Sequence, residues 1–345
     1  MFKQNPYRGL GLVVLMTCMA LGVTGCWSDS GNEVVVYTAL DSEFSQPILR
    51  QFTADTGIKA LPKFDTESTK TVGLVEAIIA EADRPRCDVF WNNEILHTLR
   101  LQELGLLETF QPPIADEYPQ MYRSINRVWH GFAARARVLI VNTKVVAEAD
   151  RPTSIHDLAD AKWQGKVAIA KPLFGTTATH AACLFQTWGD EKAQAFFRTL
   201  KDNVRIESGN KQVALAVASG ELAFGLTDTD DAIIELEKGM DVAIVYPDQQ
   251  PDGLGTLFIP NTLSIVKNCP HPQQARTLVD YLLSPQIEEQ LAKSASAQIP
   301  LHPAAQGTDR VESPATVRSM QVDFTAAAKR WNEVAQFLRD EFTVD

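Results

Sequence analysis

The sequence predicts a two-lobed α/β protein. Three observations carry this. Apolar runs of strand length alternate with amphipathic helical stretches twice over, in residues 34–105 and again in 167–246. Two long extended segments, 132–142 and 256–266, are placed to cross between those blocks. The chain of 345 residues is long enough to build two lobes.

In the first block, residues 34–38 read as a strand, followed by a polar turn at 39–43. A helix follows with Ser45 as candidate cap and Ile48, Leu49 and Phe52 on one face; Gly57 ends it. Residues 58–64 alternate as a strand. Val72, Val75 and Ile79 mark a second helix, 87–91 a third strand, and 95–104 a third helix stopped by Gly105. This βαβαβα order implies a mostly parallel sheet. The prolines 112, 113 and 119 then interrupt the pattern.

The second block predicts strands at 167–170, 204–207, 222–226 and 242–246. Helices are expected at 178–188, 192–200, 211–218 and 232–238. Further helices are expected at 273–283 and 287–294, and one around Trp331, Val334 and Leu338. The most informative stretch is Thr227-Asp-Thr-Asp-Asp231, between a strand and a helix. A strand that feeds a helix through a polar turn sets those side chains at the carboxyl edge of a sheet, where open α/β sheets bind ligands. An N-cap explains one or two of them. Three acids in four residues repel one another, so Asp228, Thr229, Asp230 and Asp231 are read as facing a ligand.

The net charge is −11 and no basic cluster stands out, which argues against a nucleic-acid partner. Lys3 and Arg8 precede an apolar run, 10–23, too short to span a membrane comfortably. The run ends in Val23-Thr24-Gly25-Cys26. That resembles a bacterial lipobox, which implies a signal peptide over 1–26, lipidation of Cys26, and an anchor on the periplasmic or cell-surface side of a membrane. Cys87, Cys183 and Cys269 are read as buried free thiols, with one disulfide possible.

The order of segments resembles the periplasmic solute-binding proteins of ABC importers, in their ferric-iron-binding branch. It rests on Val36-Tyr-Thr-Ala-Leu-Asp41, Phe52-Thr-Ala-Asp-Thr-Gly-Ile58, Cys87-Asp-Val-Phe-Trp91 and Leu104-Gly-Leu-Leu-Glu108. Residues 157–167, 208–214, 219–222 and 282–285 complete it. The resemblance implies the type II periplasmic-binding-protein fold, two α/β lobes joined by a two-strand hinge. The expected lobes are 33–133 plus 261–305, and 134–260 plus a C-terminal part at 306–345. Permease and ATPase subunits of an importer are the implied partners, and no catalytic cofactor or enzymatic activity is implied.

The family's iron site uses a first-turn His, an acid after the third strand and two adjacent tyrosines, with an anion on the second lobe. Here Asp41 holds the first-turn place, Glu94 follows the third strand, and Thr229-Asp230 fall where the tyrosines would be. Asp41, Glu94, Asp228, Asp230 and Asp231 offer oxygen ligands to a hard cation such as Fe(III), and equally to an ammonium. Gly175, Thr176 and Thr177 open one helix and Asn210 another. They are either ordinary caps or an anion cradle, and the resemblance favours the cradle. Tyr37 and Trp91 end strands at the cleft, either to stack on an organic cation or to finish the core. His97, His130 and His180 have no metal-like spacing and are expected at the surface or in support of other groups.

The resemblance therefore implies a lipid-anchored protein that captures iron(III) or another metal with an anion. The alternative cargo is a small organic phosphate, phosphonate or amine of thiamine-like or polyamine-like kind. A distant alternative is a phosphatase, because Phe224-Gly-Leu-Thr-Asp-Thr-Asp-Asp-Ala232 resembles the Asp-x-Asp nucleophile motif of haloacid-dehalogenase-like enzymes. Ala232 departs from that motif, and more than half the chain precedes it.

Overall fold

Short Val-rich strands covered by amphipathic helices build the first lobe of this computed structural model, which describes residues 31–65 and 71–342. In order come β1 (Glu33–Thr38), α1 (Ser42–Thr56), β2 (Lys59–Phe64), α2 (Val72–Ala80), β3 (Val89–Asn92) and α3 (Leu96–Glu103). The expected βαβαβα order is present, with β1 parallel to both β2 and β3. Helix α1 stops at Gly57, where φ is +72° and the N–H donates to the Thr53 carbonyl. A side chain at that φ would be strained, so glycine ends the helix cheaply.

The first expected crossing is β4 (His130–Asn142), thirteen residues and buried throughout. Residues 130–136 pair antiparallel with β9 (Phe258–Ile265), the second crossing. Residues 137–141 pair antiparallel with the second lobe, on β7 (Phe224–Asp228), and 139–142 pair with β8 (Val242–Val245). One strand thus belongs to both lobes. With β5 (Val167–Ala170) and β6 (Arg205–Glu207), the strand order is β2-β1-β3-β9-β4-β7-β5-β6, and β8 lies off that path on β4. The mostly parallel sheet expected from the sequence is mixed instead. A strand that leaves one lobe and a strand that returns run in opposite directions, so the crossings enter antiparallel.

Helices α4 (Gly175–Trp188), α5 (Asp190–Asn203), α6 (Asn210–Ala218) and α7 (Thr229–Glu237) cover the second lobe. Helices α8 (Pro272–Leu282) and α9 (Pro285–Lys293) return to the first. The single C-terminal helix expected is two, α10 (Phe324–Lys329) and α11 (Trp331–Phe342). Helix α10 packs on α3 as well as α4, so the C-terminal segment touches both lobes. One core gathers Phe52, Phe90, Trp91 and Leu278; a second gathers Phe185, Phe197, Leu226 and Trp331. Cys87, Cys183 and Cys269 are buried and free, as expected. No helix among the described residues is long and apolar enough to cross a membrane. Residues 1–26, with Cys26, lie outside the described residues.

Candidate functional site

The acidic stretch is more tightly built than its sequence suggests. Strand β7 runs on through Asp228 and α7 begins at Thr229, so no polar loop separates them. The reason lies on the neighbouring strand. Arg137 is the ladder partner of Asp228, and its Nη1 donates to the Asp228 carboxylate at 2.6 Å. That pair holds Asp228 in the sheet. Asp228 occupies the N-cap position of α7, yet its carboxylate does not cap the helix. Its second oxygen accepts from the Thr176 hydroxyl at 2.6 Å and from the Asn210 amide at 2.9 Å.

The hydroxyls and amide expected to hold an anion are therefore spent inside the protein. Arg137 Nη1 donates to Thr176 Oγ1 (3.2 Å) and to Asn210 Oδ1 (3.1 Å), and Arg137 Nη2 donates to Thr177 Oγ1 (3.2 Å). Thr177 in turn donates to Asn210 Oδ1. What remains is backbone. Helices α4 and α6 have no side-chain cap at their N-termini. Their first intrahelical donors are Ala178, to Phe174, and Val213, to Gly209. The N–H groups ahead of these, at 175–177 and 210–212, are left for solvent or ligand at the positive ends of both helix dipoles.

Both helix starts open on one cleft. Its wall includes Gly175, Thr176, Ser208, Gly209 and Asn210 from these two ends. Lys171, Lys211 and Arg135 add positive charge, and Asp41, Asp228, Asp230 and Asp231 add negative charge. Asp41 comes from the first lobe, at the start of α1, and the other three from the second. Carboxylate oxygens of Asp228, Asp230 and Asp231 lie within 4.8 Å of one another. Two guanidinium groups already serve this cluster. Arg137 holds Asp228, and Arg135 Nη1 lies 3.2 Å from Asp230. Burial works against the Arg135 charge, but Asp230, Asp228, Asp41 and Asp231 together outweigh it and raise its pKa. The Nε–H of Arg135 is buried and finds no acceptor among the described residues.

Several expected ligands are elsewhere. Glu94 is fully buried and does not line the cleft. Its carboxylate accepts from the Leu96 and His97 N–H groups, from the Asn92 amide and from the Thr179 hydroxyl, with His97 Nδ1 at 3.1 Å. Burial raises its pKa, but the His97 charge and those hydrogen bonds prevail and hold it below the usual range. Thr229 is buried, and its hydroxyl accepts from the Ala136 N–H. Tyr37 and Trp91 finish the core: the Tyr37 hydroxyl donates to Glu81 at 3.0 Å, and Trp91 packs on Phe132. His97, His130 and His180 are not at the surface; all three are buried.

Arg135, Lys171, Lys211 and Ser208 are among the cleft residues that sequence reasoning missed, as it missed Arg137, which holds Asp228. A signal for two of them exists. In Phe132-Ala-Ala-Arg135-Ala-Arg137 the arginines stand two apart within an apolar run, so they share one face of a buried strand. Buried charges need partners, and 228–231 is an acid-rich segment of strand–helix type that can supply them.

Comparison with known proteins places this architecture. The Synechocystis sp. protein "Iron uptake protein A1" is 27% identical over 274 residues, 76% of this chain and 74% of its own. A Salmonella typhi protein named as a candidate 2-aminoethylphosphonate-binding periplasmic protein is 24% identical over 95% of this chain and 99% of its own. Iron-bound HitA from Pseudomonas aeruginosa superposes with a TM-score of 0.81 at 25% identity, covering 90% of this chain and 99% of that one. Residues 97–327 match the model of the bacterial extracellular solute-binding proteins, and the chain belongs to that family.

Proposed function

We propose that this protein captures a small organic phosphate or phosphonate carrying an amine, and delivers it to the permease and ATPase subunits of an ABC importer. The observation that carries the reading is the convergence of two uncapped helix N-termini on Arg135, whose buried Nε–H has no acceptor among the described residues. An oxyanion in the cleft takes up those N–H groups, with Lys171 and Lys211 beside it. Asp41 and Asp231, from opposite lobes, suit an ammonium on the same molecule. The relative named for 2-aminoethylphosphonate has this charge pattern in its ligand.

A second reading is iron(III) or another metal held with an anion. The closeness of the three second-lobe carboxylates and the iron-binding relatives favour it. Against it stand the two guanidinium groups already paired with Asp228 and Asp230, and the lack of any tyrosine among the described residues of the cleft wall. Native mass spectrometry with elemental analysis of chelator-free protein separates the readings, backed by calorimetric titration with 2-aminoethylphosphonate, inorganic phosphate and ferric citrate. Heat and a mass shift with the aminophosphonate support the first. Co-purifying iron with silence toward both phosphorus compounds overturns it.

We take residues 33–133 with 261–305 as one lobe and 134–260 with 306–345 as the other, closing by bending at β4 and β9. The lipid anchor at Cys26 belongs to the same reading. Cys26→Ala should release the protein from membranes or leave it unprocessed, and unchanged detergent partitioning would count against an anchor.

A further inference from the structure

Ala133 is a rare backbone outlier, with φ of +42° in the middle of the first crossing strand. It sits at a bulge, where the β4–β9 register slips between Phe132 and Ala134. A non-glycine residue stays in this region only when its surroundings hold it there. Both polar groups of Ala133 are held by buried side chains. Its N–H donates to the Glu288 carboxylate of α9 at 2.6 Å. Its carbonyl accepts from the Asn261 amide of β9. Glu288 is fully buried, and it also accepts from the N–H groups of Leu301 (3.0 Å) and His302 (2.7 Å). Ala134 is fixed next, exchanging both backbone bonds with Ile299 at 2.7 and 2.8 Å.

The strand beyond this clamp leads into the cleft. Arg135 reaches Asp230, the Ala136 N–H donates to Thr229, and Arg137 pairs with Asp228. A bulge adds one residue and so decides to which face every later side chain points. Were Ala133 to relax to ordinary strand geometry, the direction of Arg135 and Arg137 would change with it. We propose that Glu288 is a positioning residue for solute capture: its carboxylate holds the Ala133 bulge, and the bulge sets both the angle between the lobes and the aim of Arg135 into the cleft. Glu288 lines no part of that cleft, so it acts through the strand and not by contact with solute.

The test needs no cargo and so is independent of which solute the cleft takes. Spin labels are placed on exposed sites of the two lobes, Asp83→Cys and Lys192→Cys, the cysteines among the described residues being buried. Interlobe distances are then measured by pulsed electron resonance, with amide exchange at Ala133 followed in parallel. Glu288→Gln, which removes the charge at constant size, should broaden or shift the distance distribution. It should also speed Ala133 exchange at least tenfold at temperatures where the protein remains folded. Ala133→Gly added to Glu288→Gln should narrow the distribution again, because glycine takes positive φ without help. A purely structural role would lower the melting temperature and leave the distances as in the parent; that result, or no rescue by glycine, overturns the proposal. If Glu288→Gln does not fold, Asn261→Leu removes the clamp on the carbonyl of the same residue. It should broaden the distribution likewise, and parental distances there overturn the proposal too.

Discussion

Arg135 and Asp230 form a buried ion pair, 3.2 Å apart, that ties the crossing strand β4 to the first turn of α7. Both side chains are more than nine-tenths buried. The pair lies on the cleft wall, so its guanidinium serves the fold and the site at once.

Arg135→Met should disturb both roles. It leaves the Asp230 charge without its guanidinium, a change that costs about 3–5 kcal/mol for a buried pair. Urea unfolding should show that loss, and binding of a phosphonate probe should disappear. A stability loss below about 1 kcal/mol would contradict the buried pairing.

Lys171 and Lys211 should behave differently. Lys211 is half exposed and meets Glu43 of the first lobe at 3.5 Å, across the cleft lip. Changing either lysine to Ala should shift stability by no more than about 0.5 kcal/mol. Affinity for an anionic probe should fall roughly tenfold, as loss of one charge-assisted hydrogen bond implies, and the remaining affinity should depend less on salt. Unchanged affinity in both variants would remove the anion reading of the cleft.

Acid should unfold the protein through two buried histidines. Burial pushes the His130 pKa down from 6.5 to about 4, and burial with the Arg137 charge pushes His180 down to about 3. The unfolded chain takes up protons at these sites near pH 6.5 and the folded chain does not. Their stability contribution is therefore complete above pH 6.5 and is lost as pH falls from there toward 4. At pH 5 each should have removed about 2 kcal/mol. Thermal melts from pH 7.5 to 5 should record the decline, and His180→Leu should reduce its slope. An undiminished slope in that variant would show that His180 is not the group that titrates.

Gly225 should tolerate no side chain. A Cβ there would lie 2.5 Å from Val213 Cγ1 and 2.9 Å from the Ala168 carbonyl, and the carbonyl cannot move without β5. Gly225→Ala should cost about 1–3 kcal/mol by overpacking. Because Gly225 stands three residues before Asp228 on β7, binding should weaken with it. A variant as stable as the parent would show that α6 packs more loosely on β7 than these distances imply.

The parts of the fold that depend on neighbours along the chain were legible in the amino-acid pattern. Apolar periodicity located the strands and helices of both blocks, and the two long extended runs became β4 and β9 within two residues of each expected end. The acidic stretch stood out because like charges crowded together need a reason, and the fold sets Asp228, Asp230 and Asp231 on the cleft wall. Tertiary structure alone decided which charges meet. Arg137 and Asp228 are 91 residues apart, and Glu94 and Thr179 are 85 apart. Nothing local reveals that one pair draws Asp228 into the sheet, or that the other turns Glu94 away from the cleft. Residues 229–230 show the same division: the sequence marks them as polar, but only the fold sends the Thr229 hydroxyl to the Ala136 N–H and the Asp230 carboxylate to Arg135. Side-chain chemistry is written in the sequence, whereas its partners are set by long-range pairing in a low-dielectric interior, where each buried polar group must take the nearest partner the fold presents.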